Sequence, residues 1–125
     1  MHVDSGSLYI PLAGYKCAAR PKRDLAPAKT IAGHYGLAHQ LMKLREELQE
    51  LHEAACDFED RGCPTDLDTY EQVHLFEELA DVELMVDQIK YLLDAEGIVA
   101  NIRNCKEARQ IRRILEERKA EREGR

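Results

Sequence analysis

Hydrophobic positions recur at helical spacing in three long stretches of the chain, with polar residues between them. The first stretch runs from about residue 34 to 60, the second from about 69 to 95, and the third from about 98 to 122. Each places its larger apolar residues on one face of a helix. The apolar faces predicted are, in order: Leu37, Leu41, Leu44, Leu48, Leu51 and Ala55; Leu75, Leu79, Val82, Met85, Val86, Ile89 and Leu93; Ile102, Ile111, Ile114 and Leu115.

Turn-forming residues separate these stretches. In "DRGCPTD", Gly62 can cap the end of the first helix and Pro64 prevents its continuation. Asp68, followed three residues later by Glu71, resembles a capping box for the second helix. Gly97 is the expected end of that second helix. The pattern predicts an all-α protein.

Residues 1–33 have a different composition. They contain three of the four prolines and three of the seven glycines, which favours loops. We therefore expect a loop-rich N-terminal arm over 1–33 and a helical domain over 34–125.

Three helices of this length in a chain of 125 residues cannot bury all their apolar faces within one copy. We expect an antiparallel helical bundle completed by homo-oligomerisation, as a homodimer or a homotetramer.

Composition limits the function classes. The net charge of -6 is unfavourable for general binding of nucleic-acid polymers. The sequence has no run of about eighteen apolar residues, so we expect no membrane span. The four cysteines form no CxxC pair, which favours reduced thiols and a cytoplasmic location. Cys56 and Cys105 are expected to be small core residues.

Acidic residues occupy unusual places in the first two helices. Glu78 lies inside the apolar stripe of the second helix, and Asp81 lies three residues on. A carboxylate in such a stripe is destabilising unless it is paired. In "KLREELQEL", Glu46, Glu47 and Glu50 span an arc of about 100° on the first helix. If the two helices pack antiparallel, the two acidic groups can meet.

Several converging carboxylates cannot all ionise without a counter-charge. Hard divalent cations bind carboxylate oxygens, and Mg²⁺ often pairs such a site with substrate phosphates. The alternative is an ordinary solvated face, which Glu46, Glu50 and Glu53 would form on their own.

The third helix carries Lys106, Arg109 and Arg113 on one stripe. Such a stripe can bind phosphates. Alternatively, these are surface cations that pair with neighbouring glutamates.

Two of these elements resemble a known family. "EELQE" (residues 46–50) and "ELAD" (residues 78–81) are similar to the EExxE and ExxD elements of the MazG-like, all-α nucleoside triphosphate pyrophosphohydrolases, including compact phage-type members. The resemblance covers roughly residues 34–119.

The resemblance implies Mg²⁺-dependent cleavage between the α- and β-phosphates of a nucleoside triphosphate, with Mn²⁺ as an alternative cation. The products are a monophosphate and pyrophosphate. It also implies roles for individual residues: Glu47, Glu50, Glu78 and Asp81 as metal ligands; Glu46 as an outer carboxylate or as a group that helps to activate the attacking water, with Glu46 and Glu47 as the catalytic residues; Lys106, Arg109 and, more weakly, Arg113 as phosphate ligands; Gln40 and Lys43 as residues facing the nucleotide. No feature selects a particular base.

Two other functions stay open. Glu71 and His74 have the ExxH spacing that di-iron carboxylate bundles use, although those sites need two such elements. The chain could also be a non-catalytic helical interaction module, in which case Glu78 has no ligand to bind.

Overall fold

The computed structural model describes residues 25–65 and 69–124, which form four α-helices. Their bounds are α1 Ala26–Tyr35, α2 Leu37–Asp60, α3 Tyr70–Leu92 and α4 Glu96–Glu123. The prediction of an all-α protein is confirmed for these residues, and homo-oligomerisation stays a prediction. The chain divides into two units, one holding α1 to α3 and ending at Leu92, the other beginning at Leu93 and holding α4.

The first predicted helix is preceded by a separate short one. Gly36 has φ 83° and ψ 168°, a conformation almost restricted to glycine, and it separates α1 from α2. Residues 26–33, which the sequence assigned to the loop-rich arm, are helical here. Pro27 is compatible with this helix because it lies in the first turn, where its missing N–H needs no partner. The rest of the predicted arm, residues 1–24, lies outside the described residues.

The turn after α2 follows the prediction. Gly62 has φ +83°, and its N–H donates to the Glu59 carbonyl over 2.9 Å. Gly62 is therefore confirmed as a helix-ending residue. At the start of α3, the Gln72 N–H donates to Thr69 Oγ1 over 3.3 Å, so Thr69 caps this helix. Asp68, the expected cap, lies outside the described residues.

The prediction that Gly97 ends the second helix was wrong. Helix α3 ends at Leu92, and Gly97 lies in the first turn of α4. The left-handed position is taken by Asp94, with φ +50°. Aspartate tolerates this conformation better than most residues, so the chain turns before it reaches the glycine.

Helices α2 and α3 pack against each other in antiparallel orientation, as predicted. Gln40 near the start of α2 hydrogen-bonds Gln88 near the end of α3. At the opposite end, Arg61 Nε lies 3.5 Å from Glu71 Oε1. Helix α1 packs mainly on α3.

The buried face of α2 coincides only in part with the predicted leucine stripe. Its buried residues are Gln40, Glu47 and Ala54, spaced seven apart. Leu41 and Leu48, each one position later, are exposed at 41% and 46%. Leu37, Leu44 and Leu51 of the predicted stripe are half-buried. The prediction of the inward face was therefore wrong at Leu41 and Leu48, which lie about 100° around the helix from the buried line.

Among the described residues, the interior contains more polar side chains than apolar ones. The described core hydrophobic residues are Ala32, Ala54, Val73 and Met85. Five polar or charged residues are also buried: Gln40, Glu47, Gln72, Glu78 and Gln88. Buried polar groups need partners, so a functional site is expected in this interior.

In α4, every residue from Glu96 to Glu123 is exposed. Cys56 and Cys105 are also exposed, so their assignment to the core was wrong. Within the described part of the chain, no helix has a stretch apolar and long enough to cross a bilayer.

Candidate metal centre

Three carboxylates from two helices come together inside the α1–α3 unit. Glu47 and Glu50 of α2 and Glu78 of α3 each offer an oxygen, and these oxygens lie within 4.8 Å of one another. Glu78 is 1% exposed, Glu47 is 4% exposed, and Glu50 is half-buried. We call these three residues the acidic triad.

Helical spacing explains how the triad forms. Glu47 and Glu50 are three residues apart and so share one face of α2. That face is buried because Glu47 lies on the same line as Gln40 and Ala54. Glu78 lies on the face of α3 that also buries Met85, seven residues later. Antiparallel packing then places Glu78 opposite the two glutamates of α2.

Two basic side chains approach the triad. Lys43 Nζ lies 3.8 Å from Glu47 Oε1 and 3.4 Å from Glu46 Oε2. His74 Nε2 lies 3.3 Å from Glu78 Oε1, and its ring stacks on Tyr70 with centroids 5.5 Å apart. When ionised, the three carboxylates carry three negative charges within a few ångströms of one another.

The donor set suits a hard divalent cation. All three groups offer carboxylate oxygens, which Mg²⁺ and Ca²⁺ prefer, and no thiolate is among them. Ligand oxygens around one octahedral Mg²⁺ lie about 2.9–4.2 Å apart. The triad oxygens need only a small contraction to reach that spacing. The acidic triad could therefore bind a metal ion.

The other predicted acidic residues lie next to the triad. Asp81, the fourth expected ligand, is half-buried and lines a cleft together with Glu47. It is not part of the three-residue cluster found among the described residues. Glu46 is exposed, with Lys43 beside it.

The cleft beside the triad has a volume of about 230 Å³. Gln40 and Lys43, both expected to face the nucleotide, line it, as does Glu47. Tyr35 and Gln88 are among the lining residues that the sequence interpretation missed. Gln88 is three residues after the buried Met85, a spacing that places both on one side of α3. That spacing was the signal that could have identified it.

The predicted phosphate ligands lie on the other unit. Lys106, Arg109 and Arg113 are all on α4, on one stripe of the helix, and all are exposed.

The contacts of the ExxH element do not favour a shared iron site. Glu71 pairs with Arg61, whereas His74 pairs with Glu78. The two residues are thus engaged with different partners.

Comparisons of this chain with protein-family models, with curated proteins and with solved structures gave no match. Any functional interpretation therefore depends on the residues and on the geometry of the acidic triad.

Proposed function

We propose that this protein is a Mg²⁺-dependent nucleoside triphosphate pyrophosphohydrolase, which cleaves between the α- and β-phosphates. The acidic triad is the single observation that carries the proposal. Glu78 is almost completely buried, and it faces two further carboxylates from another helix. Such an arrangement lowers the stability of the folded protein. A bound cation would compensate the negative charge of the three carboxylates.

The donor chemistry supports a phosphate substrate. A hard cation held by a few carboxylates keeps positions for substrate oxygens. When bound, it supplies positive charge to the phosphates and makes adjacent water more acidic. Mn²⁺, which accepts the same oxygen ligands, should substitute for Mg²⁺.

The protein's own residues have separate roles in this proposal. Glu47, Glu50 and Glu78 hold the cation, and Asp81 adds a fourth carboxylate from the wall of the cleft. Glu46 is exposed near Glu47 and accepts the proton from the attacking water. Lys43 lies between Glu46 and Glu47, where it orients these two side chains.

The resemblance to the MazG-like family also implies that Lys106, Arg109 and Arg113 of α4 bind phosphates, and a cationic stripe of this kind can do so. The resemblance of "EELQE" and "ELAD" to the MazG-like family supports the same activity. It also supports a homodimer or homotetramer, consistent with the exposure of Leu41 and Leu48.

The test is product analysis with purified protein. Canonical and modified nucleoside triphosphates are incubated with Mg²⁺ or Mn²⁺, and released pyrophosphate and monophosphate are quantified. We expect equal amounts of these two products. The Glu78→Gln variant should lose activity, whereas Glu83→Gln, an exposed carboxylate on the same helix, should retain it.

Release of orthophosphate with a diphosphate would contradict the assigned chemistry, because it indicates cleavage at the terminal phosphate. Equal activity in Glu78→Gln and the unchanged protein would remove the acidic triad from the mechanism. A folded protein with no turnover of any nucleotide would favour the helical interaction module.

A further inference from the structure

We propose that His74 is a positioning residue, which holds the buried Glu78 carboxylate in the orientation that binds the cation. This inference rests on the proposed function, because it takes the acidic triad to bind a divalent cation. It gives a role to a residue that the proposed mechanism does not use and that the sequence connected only with an ExxH element.

His74 lies directly beside the most deeply buried carboxylate of the triad. Its Nε2 atom is 3.3 Å from Glu78 Oε1, and the two residues are four positions apart on α3. Long helical side chains lean toward the preceding turn, so Glu78 reaches back to the turn that carries His74. The His74 side chain is 17% exposed, whereas Glu78 is 1% exposed. His74 therefore contacts Glu78 from the solvent side of the triad.

This contact determines how the carboxylate of Glu78 is oriented. An ionised carboxylate only accepts hydrogen bonds, so the hydrogen between the two groups belongs to His74 Nε2. The last torsion of a glutamate side chain has no sharp preference of its own, and a donor at Oε1 restricts it. The two oxygens of a carboxylate accept several bonds, so a contact with His74 still allows Glu78 to bind a cation.

Tyr70 in turn fixes the histidine ring. The rings of Tyr70 and His74 stack with centroids 5.5 Å apart and an angle of 26° between their planes. This separation is within the range that aromatic pairs favour. Tyr70, His74 and Glu78 are each four residues apart, so they follow one another along one side of α3. The stacking sets the plane in which Nε2 meets the carboxylate.

His74 acts on the cation site from outside it. Among the described residues, the cluster of possible ligand atoms contains Glu47, Glu50 and Glu78, and it does not contain His74. Proteins commonly hold metal-binding side chains in place by hydrogen bonds from residues that do not touch the metal. Removing such a partner typically lowers metal affinity by about 10- to 100-fold.

The experiment is a calorimetric titration of the protein with MnCl₂, using two replacements of His74. His74→Phe keeps a ring that can stack on Tyr70 but has no N–H group. His74→Gln has no ring, but its amide nitrogen is as many bonds from the backbone as Nε2 is. We expect His74→Phe to weaken Mn²⁺ binding about 10- to 100-fold and His74→Gln to bind about 5-fold or more tightly than His74→Phe.

The control is His52→Phe, the same replacement at an exposed histidine of α2, which should leave Mn²⁺ affinity unchanged. Thermal unfolding in EDTA separates positioning from a merely structural role. If His74→Phe lowers Tm in EDTA but binds Mn²⁺ as the unchanged protein does, the positioning role is wrong. Tighter Mn²⁺ binding by His74→Phe would also contradict it, because His74 would then compete with the cation for Glu78.

A further variant tests the inference if His74→Phe does not fold, which circular dichroism detects. Tyr70 is 36% exposed, so Tyr70→Leu should preserve the fold. Loss of ring stacking should weaken Mn²⁺ binding about 2- to 10-fold. The same change made in His74→Gln should have no further effect, because glutamine has no ring to stack. Equal losses in both backgrounds would contradict an action of Tyr70 through His74.

Pyrophosphate release from nucleoside triphosphates, measured on the same proteins, separates this inference from the proposed hydrolase. If the unchanged protein releases pyrophosphate and His74→Phe binds Mn²⁺ equally well, the positioning role is wrong and the hydrolase stands. If Mn²⁺ affinity depends on His74 as expected but no pyrophosphate is released, the positioning role stands and the hydrolase is wrong.

Discussion

Replacing Glu78 by glutamine should stabilise the metal-free protein and destroy its response to metal. The triad oxygens lie within 4.8 Å of one another. Two unit charges at that distance repel by about 3.5 kcal/mol at an effective dielectric constant of about 20. Proton uptake limits the total repulsion energy, because protonating an ordinary glutamate at pH 7 costs about 3.7 kcal/mol. Contacts of the triad with Lys43 and His74 offset part of this repulsion energy.

We therefore expect Glu78→Gln to raise the free energy of unfolding by about 1–3 kcal/mol in EDTA, or to raise Tm by roughly 3–10 °C. Glutamine retains the shape of glutamate and an oxygen that can accept from His74, so packing should be unchanged. Saturating Mg²⁺, at about 100 times its Kd, should stabilise the unchanged protein by about 2.7 kcal/mol and should not stabilise the variant.

The assay is thermal unfolding followed by circular dichroism, with EDTA or MgCl₂ and with ionic strength matched by KCl. Glu83→Gln removes an exposed carboxylate from the same helix and should behave like the unchanged protein under both conditions. Two results together would refute the reasoning. The Glu78→Gln variant would be less stable than the unchanged protein in EDTA, and Mg²⁺ would not change the Tm of the unchanged protein.

Three further predictions follow from individual residues. Glu46→Gln should lower kcat about 10²- to 10⁴-fold, while Mn²⁺ affinity, measured by titration, stays near that of the unchanged protein; loss of Mn²⁺ binding would contradict the role as proton acceptor. Arg109→Ala should raise KM for the triphosphate, and Arg118→Ala on the same helix should not; equal effects would show a general charge effect. Gly36→Ala should destabilise by about 1–3 kcal/mol in urea unfolding, because its backbone has φ 83° and ψ 168°. Gly33→Ala, inside α1 with free space around it, should stabilise by about 0.5–1 kcal/mol; the opposite order would contradict the assignment of the glycine-only conformation to position 36.

The approach of α2 to α3 could be predicted from the sequence, since a short connection and two apolar faces favour antiparallel neighbours. The convergence of Glu47, Glu50 and Glu78 could be predicted for the same reason. Glu78 stood out because it interrupts an apolar stripe, and natural sequences break the hydrophobic pattern mostly at functional sites.

The inward face of α2 could not be predicted by periodicity. Leu41 and Leu48 repeat every seven residues, and so do Gln40 and Glu47. Periodicity gives the spacing of a face, but it does not decide between two adjacent faces, and the rule that apolar residues lie inside selected the leucines. Gln88 was missed because it gains significance only when it is found buried and in contact with Gln40.

Binding of a divalent cation by the acidic triad is the property on which the proposed function depends. Titration of Mn²⁺ into the protein, followed by electron paramagnetic resonance, measures this directly, because the sharp signal of free Mn²⁺ disappears on binding. We predict saturable binding by the unchanged protein, competition by Mg²⁺, and no binding by a variant carrying Glu47→Gln and Glu78→Gln. Equal binding by both proteins, or no binding by either, would contradict a cation site at the triad.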